Sequence, residues 1–275
     1  MSNFNAQTFT SRDGAKLAYY VDDFTDPWTQ PDTVLLLHAA MGNSRRWFKW
    51  VPPLSRRYRV VRMDLRGHGA SQMPAPEAEF SLGQLVGDVV ELLDRLGCDA
   101  AHVVGNSAGG YVAQRLALEH GARVKTLALF GSTPGLKHSH APTWIPKIQE
   151  VGLRNFLADT IHERFDANAD PKLVQWFLDQ AGANEPAFIA RFVLHMCTHD
   201  FMQELGGIRC PTLIVAAGKE SIGHAGAYEE MRTRIQGSQL LYYDTAGHNI
   251  CDGYAERCTA DLLRFLAGQG FPKLA

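Results

Sequence analysis

The chain has 275 residues, 45% of them apolar, enough to enclose a large core as one α/β domain carrying an insertion. Lysine and arginine number 27 against 29 acids, so no basic stripe offers a nucleic-acid groove, and a small, mostly uncharged partner is expected. No apolar run is long enough to span a membrane, "MSNFNAQTFTSRDG" lacks the basic and apolar blocks of a secretion signal, and Cys98, Cys197, Cys210, Cys251 and Cys258 form no CxxC pair; together these imply a cytoplasmic chain with reduced thiols.

In chain order, "AQTFTSRDGAKLAYYVDD" (6–23) alternates about a central Asp13-Gly14 and predicts an N-terminal hairpin. "TVLLLHAA" (33–40), "YRVVRMDL" (58–65), "AAHVVGNS" (100–107), "VKTLALFG" (124–131), "PTLIVAAG" (211–218) and "SQLLYYDT" (238–245) predict short buried strands. Helices are expected near 81–96, 109–120, 225–235 and 253–268. The first has Leu82, Leu85, Val89, Leu92, Leu93 and Leu96 near helical spacing, with Ser81 as its N-cap. This alternation implies a mostly parallel sheet flanked by helices. Residues 134–205 break the rhythm. They read as short helices with prolines at the joints, a helical cap inserted into a core formed by 1–133 and 206–275. Such an insertion, near the ends of parallel strands, is well placed to cover a pocket.

One strand-to-helix corner carries chemistry. Gly105-Asn106-Ser107-Ala108-Gly109 has the form GxSxG with an apolar run before it and a helical pattern after it. That is the context of a nucleophile elbow, in which a sharp turn projects the serine hydroxyl while the next N–H points to the same spot. A serine hydroxyl needs a base, and the base needs a partner, in the chain order serine, acid, histidine. His248 in "DTAGHNICDG" follows the last strand and precedes the final helix. The turn after "PTLIVAAG" offers Glu220, which has the reach to accept an imidazole N–H. Asp200 and Asp252 are the alternative acids.

"LLLHAAMGNSRRW", "RVVRMDLRGHGAS", "VVGNSAGG", "IRCPTLIVAAG" and "TAGHN", in this order, resemble the α/β-hydrolase superfamily over nearly the whole chain. The resemblance is greatest to small capped hydrolases such as 3-oxoadipate enol-lactonases and related esterases. It implies the α/β-hydrolase fold, a catalytic set of Ser107, His248 and Glu220, and an oxyanion hole made by the backbone N–H groups of Ala40 and Ala108. It assigns Asp64, Arg66 and His68 to a structural turn. Serine at the nucleophile position argues against the epoxide-hydrolase and haloalkane-dehalogenase branches, which use aspartate there. Where this superfamily commonly has His-Gly in the oxyanion loop and aspartate as the acid, this chain has His38-Ala39 and Glu220. "GNSAGG" is similar to carbon–carbon bond hydrolases of aromatic degradation, but their HGxGPG segment is missing and Asn249, not an aromatic, follows His248.

The expectation is therefore hydrolysis of a small carboxylic ester or lactone through an acyl-enzyme, with no metal and no organic cofactor. Alternatives on the same fold are carbon–carbon bond or amide hydrolysis, a cofactor-free oxygenase or perhydrolase, and a non-enzymatic ligand receptor. Trp144, Ile145, Phe156, Trp176, Phe177 and Phe188 of the insertion, with Met41, Trp47 and Phe48, divide between helix core and pocket wall. Lys137, His138, His140 and Arg191 are the cap cations considered for a substrate carboxylate, and each reads as a solvated charge.

Overall fold

A computed structural model describes residues 6–271. Its sheet has the strand order β1-β2-β4-β3-β5-β6-β7-β8. The strands are β1 (Gln7–Thr10), β2 (Lys16–Asp22), β3 (Thr33–Leu37), β4 (Arg59–Met63), β5 (Ala101–Asn106), β6 (Val124–Phe130), β7 (Thr212–Ala217) and β8 (Gln239–Tyr243). β1 and β2 form the expected antiparallel hairpin, with Gly14 at φ +88° in its turn. β2 runs antiparallel to β4, and every pairing from β4 through β8 is parallel.

The strands read as continuous apolar runs because both faces of the sheet are covered. In β3, Leu35 and Leu37 face one apolar cluster while Val34 and Leu36 face the other. β5 divides Val103 and Val104 in the same way. Ten α-helices lie among the described residues, with five short 3-10 turns between elements: α1 (Val51–Ser55), α2 (Leu82–Arg95), α3 (Ala108–Glu119), α4 (Trp144–Val151), α5 (Leu153–Asp159), α6 (Pro171–Gly182), α7 (Pro186–Met196), α8 (Ala227–Arg234), α9 (Ile250–Gly253) and α10 (Ala255–Leu266). Ser81 caps α2 in a reciprocal box: its Oγ accepts from the Gln84 N–H at 3.2 Å, and its own N–H donates to Gln84 Oε1 at 2.9 Å. Such a cap stabilises a helix start by about 1 kcal/mol.

Between β6 and β7 lie α4 to α7, and a lone bridge from Gly135 to Asp200 is the extended pairing in that stretch. Pro171 and Pro186 open α6 and α7, at helix position N1 where a missing N–H costs nothing. Phe188 and Phe192 of α7 pack on the ring of His68, which joins this helical layer to the turn after β4. That turn is architectural. Asp64 accepts from the N–H groups of Ser44 and Ala70, and Arg66 pairs with Asp88 and Asp13. None of the helices is long and apolar enough to cross a membrane, and all five cysteines are free thiols.

Candidate active site

β5 stops at Asn106 and α3 starts at Ala108, so Ser107 alone makes the corner. It does so at φ 49° and ψ −117°, a conformation that costs a non-glycine residue of order 1–3 kcal/mol and persists only where its surroundings over-determine it. Those surroundings are specific. The Ser107 N–H donates to the Phe130 carbonyl at 3.1 Å, and the Ser107 carbonyl accepts from the Gly110 N–H and from Ser132 Oγ, both at 2.8 Å. The flanking glycines serve packing, not positive φ. A Cβ on Gly105 would meet Gly110 Cα at 2.4 Å, and one on Gly109 would meet the Leu37 carbonyl oxygen at 2.2 Å.

His248 Nε2 lies 3.0 Å from Ser107 Oγ. On its other side, Nδ1 is 2.9 Å from both carboxylate oxygens of Glu220. A carboxylate can only accept here, so the imidazole is the Nδ1–H tautomer and Nε2 presents a lone pair to the serine hydroxyl. The Glu220 side chain is fully buried yet well solvated by protein. Oε1 accepts from the N–H groups of Ile222 and Gly223 at 2.9 and 3.0 Å, and Oε2 accepts from the Tyr228 hydroxyl at 2.9 Å. Burial pushes this carboxyl upward, but the facing imidazole and the two main-chain donors outweigh it and hold the group at about 2.

The loop carrying His248 hangs on the segment after α5. The N–H groups of His248 and Asn249 donate to the carbonyls of Glu163 and Arg164 at 3.3 and 2.9 Å, and the Gly247 N–H donates to Asp166 Oδ1 at 3.1 Å.

Ser107 and His248 open into a cavity of about 50 Å³, far below the roughly 300–1,000 Å³ of ordinary ligand pockets. Its apolar wall includes Met41, Trp144, Phe177, Phe192 and Met196. Ala40 and Ala108 also line it, and neither backbone N–H has a protein acceptor among the described residues. Met41 is the one other non-glycine residue with positive φ among them, at 59°, and its carbonyl accepts from Asn184 Nδ2 at 2.9 Å. Below this loop, His38 is fixed from both ends: Nδ1–H donates to the Ala39 carbonyl at 2.8 Å while Nε2 accepts from the Leu65 N–H at 2.9 Å. Burial pushes its imidazole down to about 4, so it stays neutral.

A family model for the alpha/beta hydrolase fold matches residues 32–253. The chain belongs to the α/β-hydrolase family. Among its α/β-hydrolase relatives, the 3-oxoadipate enol-lactonase 1 of Acinetobacter baylyi is 26% identical over 90% of this chain and 91% of its own length. A proline iminopeptidase of Pestalotiopsis fici is 25% identical over 88% and 92%. A solved hydrolase from Pseudomonas aeruginosa PA01 superposes with a TM-score of 0.85 at 28% identity, covering 96% of this chain and 99% of that one.

The fold thus brings Ser107, His248, Glu220, Ala40 and Ala108 together. The alternative acids are engaged elsewhere: Asp200 faces His138 at 3.3 Å, and Asp252 is the bidentate partner of buried Arg46. Lys137 and His138 line a separate surface hollow, His140 packs on Trp144, and Arg191 caps the carbonyls of Ala75 and Ala78. Of the aromatic candidates, Trp144 and Phe177 reach the cavity, whereas Trp47 packs edge to face on Trp50 in the core and Phe48 meets Trp176 near the surface. Two cavity-lining cations, Arg46 and Arg164, carry no sequence signal; an arginine outside a motif reads as a surface charge until tertiary packing buries it.

Proposed function

We propose that this α/β hydrolase cleaves a small carboxylic ester or lactone through an acyl-enzyme, with 1–133 and 206–275 as the catalytic core and 134–205 as its cap. The observation carrying the proposal is the unbroken line from Glu220 through His248 to Ser107, at 2.9 and 3.0 Å, ending in a small, mostly apolar cavity. Ser107 Oγ attacks the carbonyl carbon as His248 Nε2 takes its proton, and the resulting imidazolium is stabilised by Glu220. The N–H groups of Ala40 and Ala108 hold the tetrahedral oxyanion; one such donor contributes about 3–4 kcal/mol in a known protease. His248 returns the proton to the leaving alkoxide, and water repeats the sequence to release the acid. This route uses no metal or organic cofactor.

The cavity also speaks against amide cleavage next to an amino terminus. Its charged lining is Arg46, which Asp252 neutralises from behind, and Arg164, with no carboxylate among the lining residues, so a substrate ammonium group would meet the Arg164 cation and no acceptor of its own charge. At its present volume the cavity accommodates a short acyl group, and larger substrates require cap side chains such as Phe177 or Phe192 to move. The five free thiols support a reducing, cytoplasmic setting.

The test is release of p-nitrophenol from p-nitrophenyl acetate and butyrate by the wild type and Ser107→Ala, with an oxygen electrode run in parallel on candidate heterocycles. Ester turnover that vanishes in a folded Ser107→Ala supports the proposal. Oxygen uptake without ester turnover assigns the oxygenase chemistry instead, and neither activity favours a receptor.

A further inference from the structure

Two arginines line the cavity that holds Ser107, and the protein treats them differently. Arg46 is neutralised: its Nε donates to Asp252 Oδ1 at 3.0 Å and its Nη2 to Oδ2, with both side chains buried. Arg164 is not matched in this way. Its side chain is 4% exposed, stacked against the rings of Trp144 and Phe156. Nη1 donates to the Thr160 carbonyl and hydroxyl at 2.9 and 2.8 Å, and among the described residues Nε and Nη2 have no hydrogen-bond partner. The nearest countercharge, Glu163 Oε2, stands 3.6 Å from Nη1 without a hydrogen bond and is itself buried without a partner.

Burying a cation costs several kcal/mol unless a hydrogen-bonded countercharge offsets it. Burial and neighbouring Arg46 push the Arg164 guanidinium down to about 10 against the pull of Glu163, so the group remains charged at neutral pH. A planar fork with free donors, in a small cavity shared with a nucleophile, has the geometry to take a carboxylate.

Resting on the acyl-transfer reading above, we propose that Arg164 binds a free carboxylate of the substrate, and that the substrates are short esters or lactones that carry one. The carboxylate completes the hydrogen bonding of the guanidinium, which Glu163 faces at 3.6 Å without bonding. It also sets the reacting carbonyl at a fixed distance from a charged anchor, so recognition and orientation come from the same contact. The anchor sits one residue after Glu163, whose carbonyl receives the His248 N–H, so an occupied Arg164 also bears on the segment that supports the imidazole.

The experiment has a catalytic and a binding arm. In the first, monomethyl succinate and acetoxyacetate, with the carboxylate on the acyl and the leaving side, are compared with methyl pentanoate and propyl acetate as neutral counterparts. The wild type is expected to favour at least one anionic ester by about ten- to a hundredfold in kcat/KM, the range of a charged hydrogen bond, and Arg164→Gln to lose that preference, read as the anionic-to-neutral ratio within each protein. Which ester is preferred identifies the side that Arg164 reads. In the second arm, NMR titration with succinate should give wild-type binding that weakens about tenfold or more in Arg164→Gln, with Arg164→Lys intermediate. Neutral and anionic esters turned over alike, or succinate binding unchanged in Arg164→Gln, overturns this assignment and leaves the hydrolase reading intact. Arg164-dependent succinate binding without turnover of any ester keeps the anion site and removes the hydrolase reading. Should Arg164→Gln not fold, wild-type selectivity and Arg164→Lys decide the matter.

Discussion

Tyr228 donates its phenolic hydrogen to Oε2 of Glu220 at 2.9 Å, so the carboxylate facing His248 is held from behind by α8. The phenol is fully buried, and burial together with the adjacent carboxylate raises its ionisation well above the ordinary range, keeping it a donor. Tyr228→Phe keeps the ring and removes that bond. A hydrogen bond to a charged group contributes about 1.5–3 kcal/mol, so kcat should fall by about tenfold or more with KM little changed. Steady-state kinetics on p-nitrophenyl butyrate check this; an unchanged kcat would mean that the two main-chain donors suffice to hold Glu220.

Glu220→Gln tests the acid itself. An amide turned to face Nδ1 offers a donor where the imidazole needs an acceptor, which moves the ring proton to Nε2 and takes the lone pair away from Ser107. The equivalent change in a serine protease lowers kcat about 10⁴-fold, and a loss of that order is expected here in a folded protein. Asp200→Asn should leave activity near wild type. Asp252→Asn should instead cost stability, about 3–5 kcal/mol, because it strands the buried Arg46. Urea melts alongside the kinetics separate the two effects.

Acid stability follows from two buried neutral histidines. Burial lowers His38 from 6.5 to about 4 and His68 from 6.5 to about 3. Between those values and 6.5 the unfolded chain binds protons that the folded chain refuses, so stability falls as pH drops below about 6.5. At pH 5 each group removes about 2 kcal/mol relative to neutral pH. Glu220 acts lower: its depressed carboxyl contributes stability that is complete above about 4.5 and lost toward about 2. Urea unfolding at pH 7, 6 and 5 should show a declining free energy, and a flat profile across that range would count against neutral buried imidazoles.

Much of this is legible in the sequence, for reasons that particular residues make plain. Val34 to Leu37 announce a strand because both faces are covered, and Ser107 and His248 occupy slots that the order of strands and helices dictates. Glu220 was legible as a strand-end acid, but its support from Tyr228, eight residues on, depends on how α8 folds back. Met41 is legible as a pocket-wall candidate, but its backbone conformation is not, nor is the burial of Arg164. The positive φ of Met41 is imposed by a loop tied to Asn184, 143 residues away, and the burial of Arg164 arises where the segment after α5 meets the His248 loop. Neither feature leaves a local pattern, since each is created by contact between distant parts of the chain.

The most direct test is whether a covalent adduct forms on Ser107 and whether turnover depends on that residue. The protein is incubated with a fluorophosphonate, and intact-mass and peptide analysis locate the adduct while residual p-nitrophenyl butyrate hydrolysis is followed. One phosphonyl adduct, formed as Ser107 Oγ displaces fluoride, is expected on the peptide carrying Ser107, with activity lost in step with labelling, and neither labelling nor turnover in a folded Ser107→Ala. Full turnover in Ser107→Ala, or complete labelling of Ser107 with activity retained, would contradict this role for Ser107.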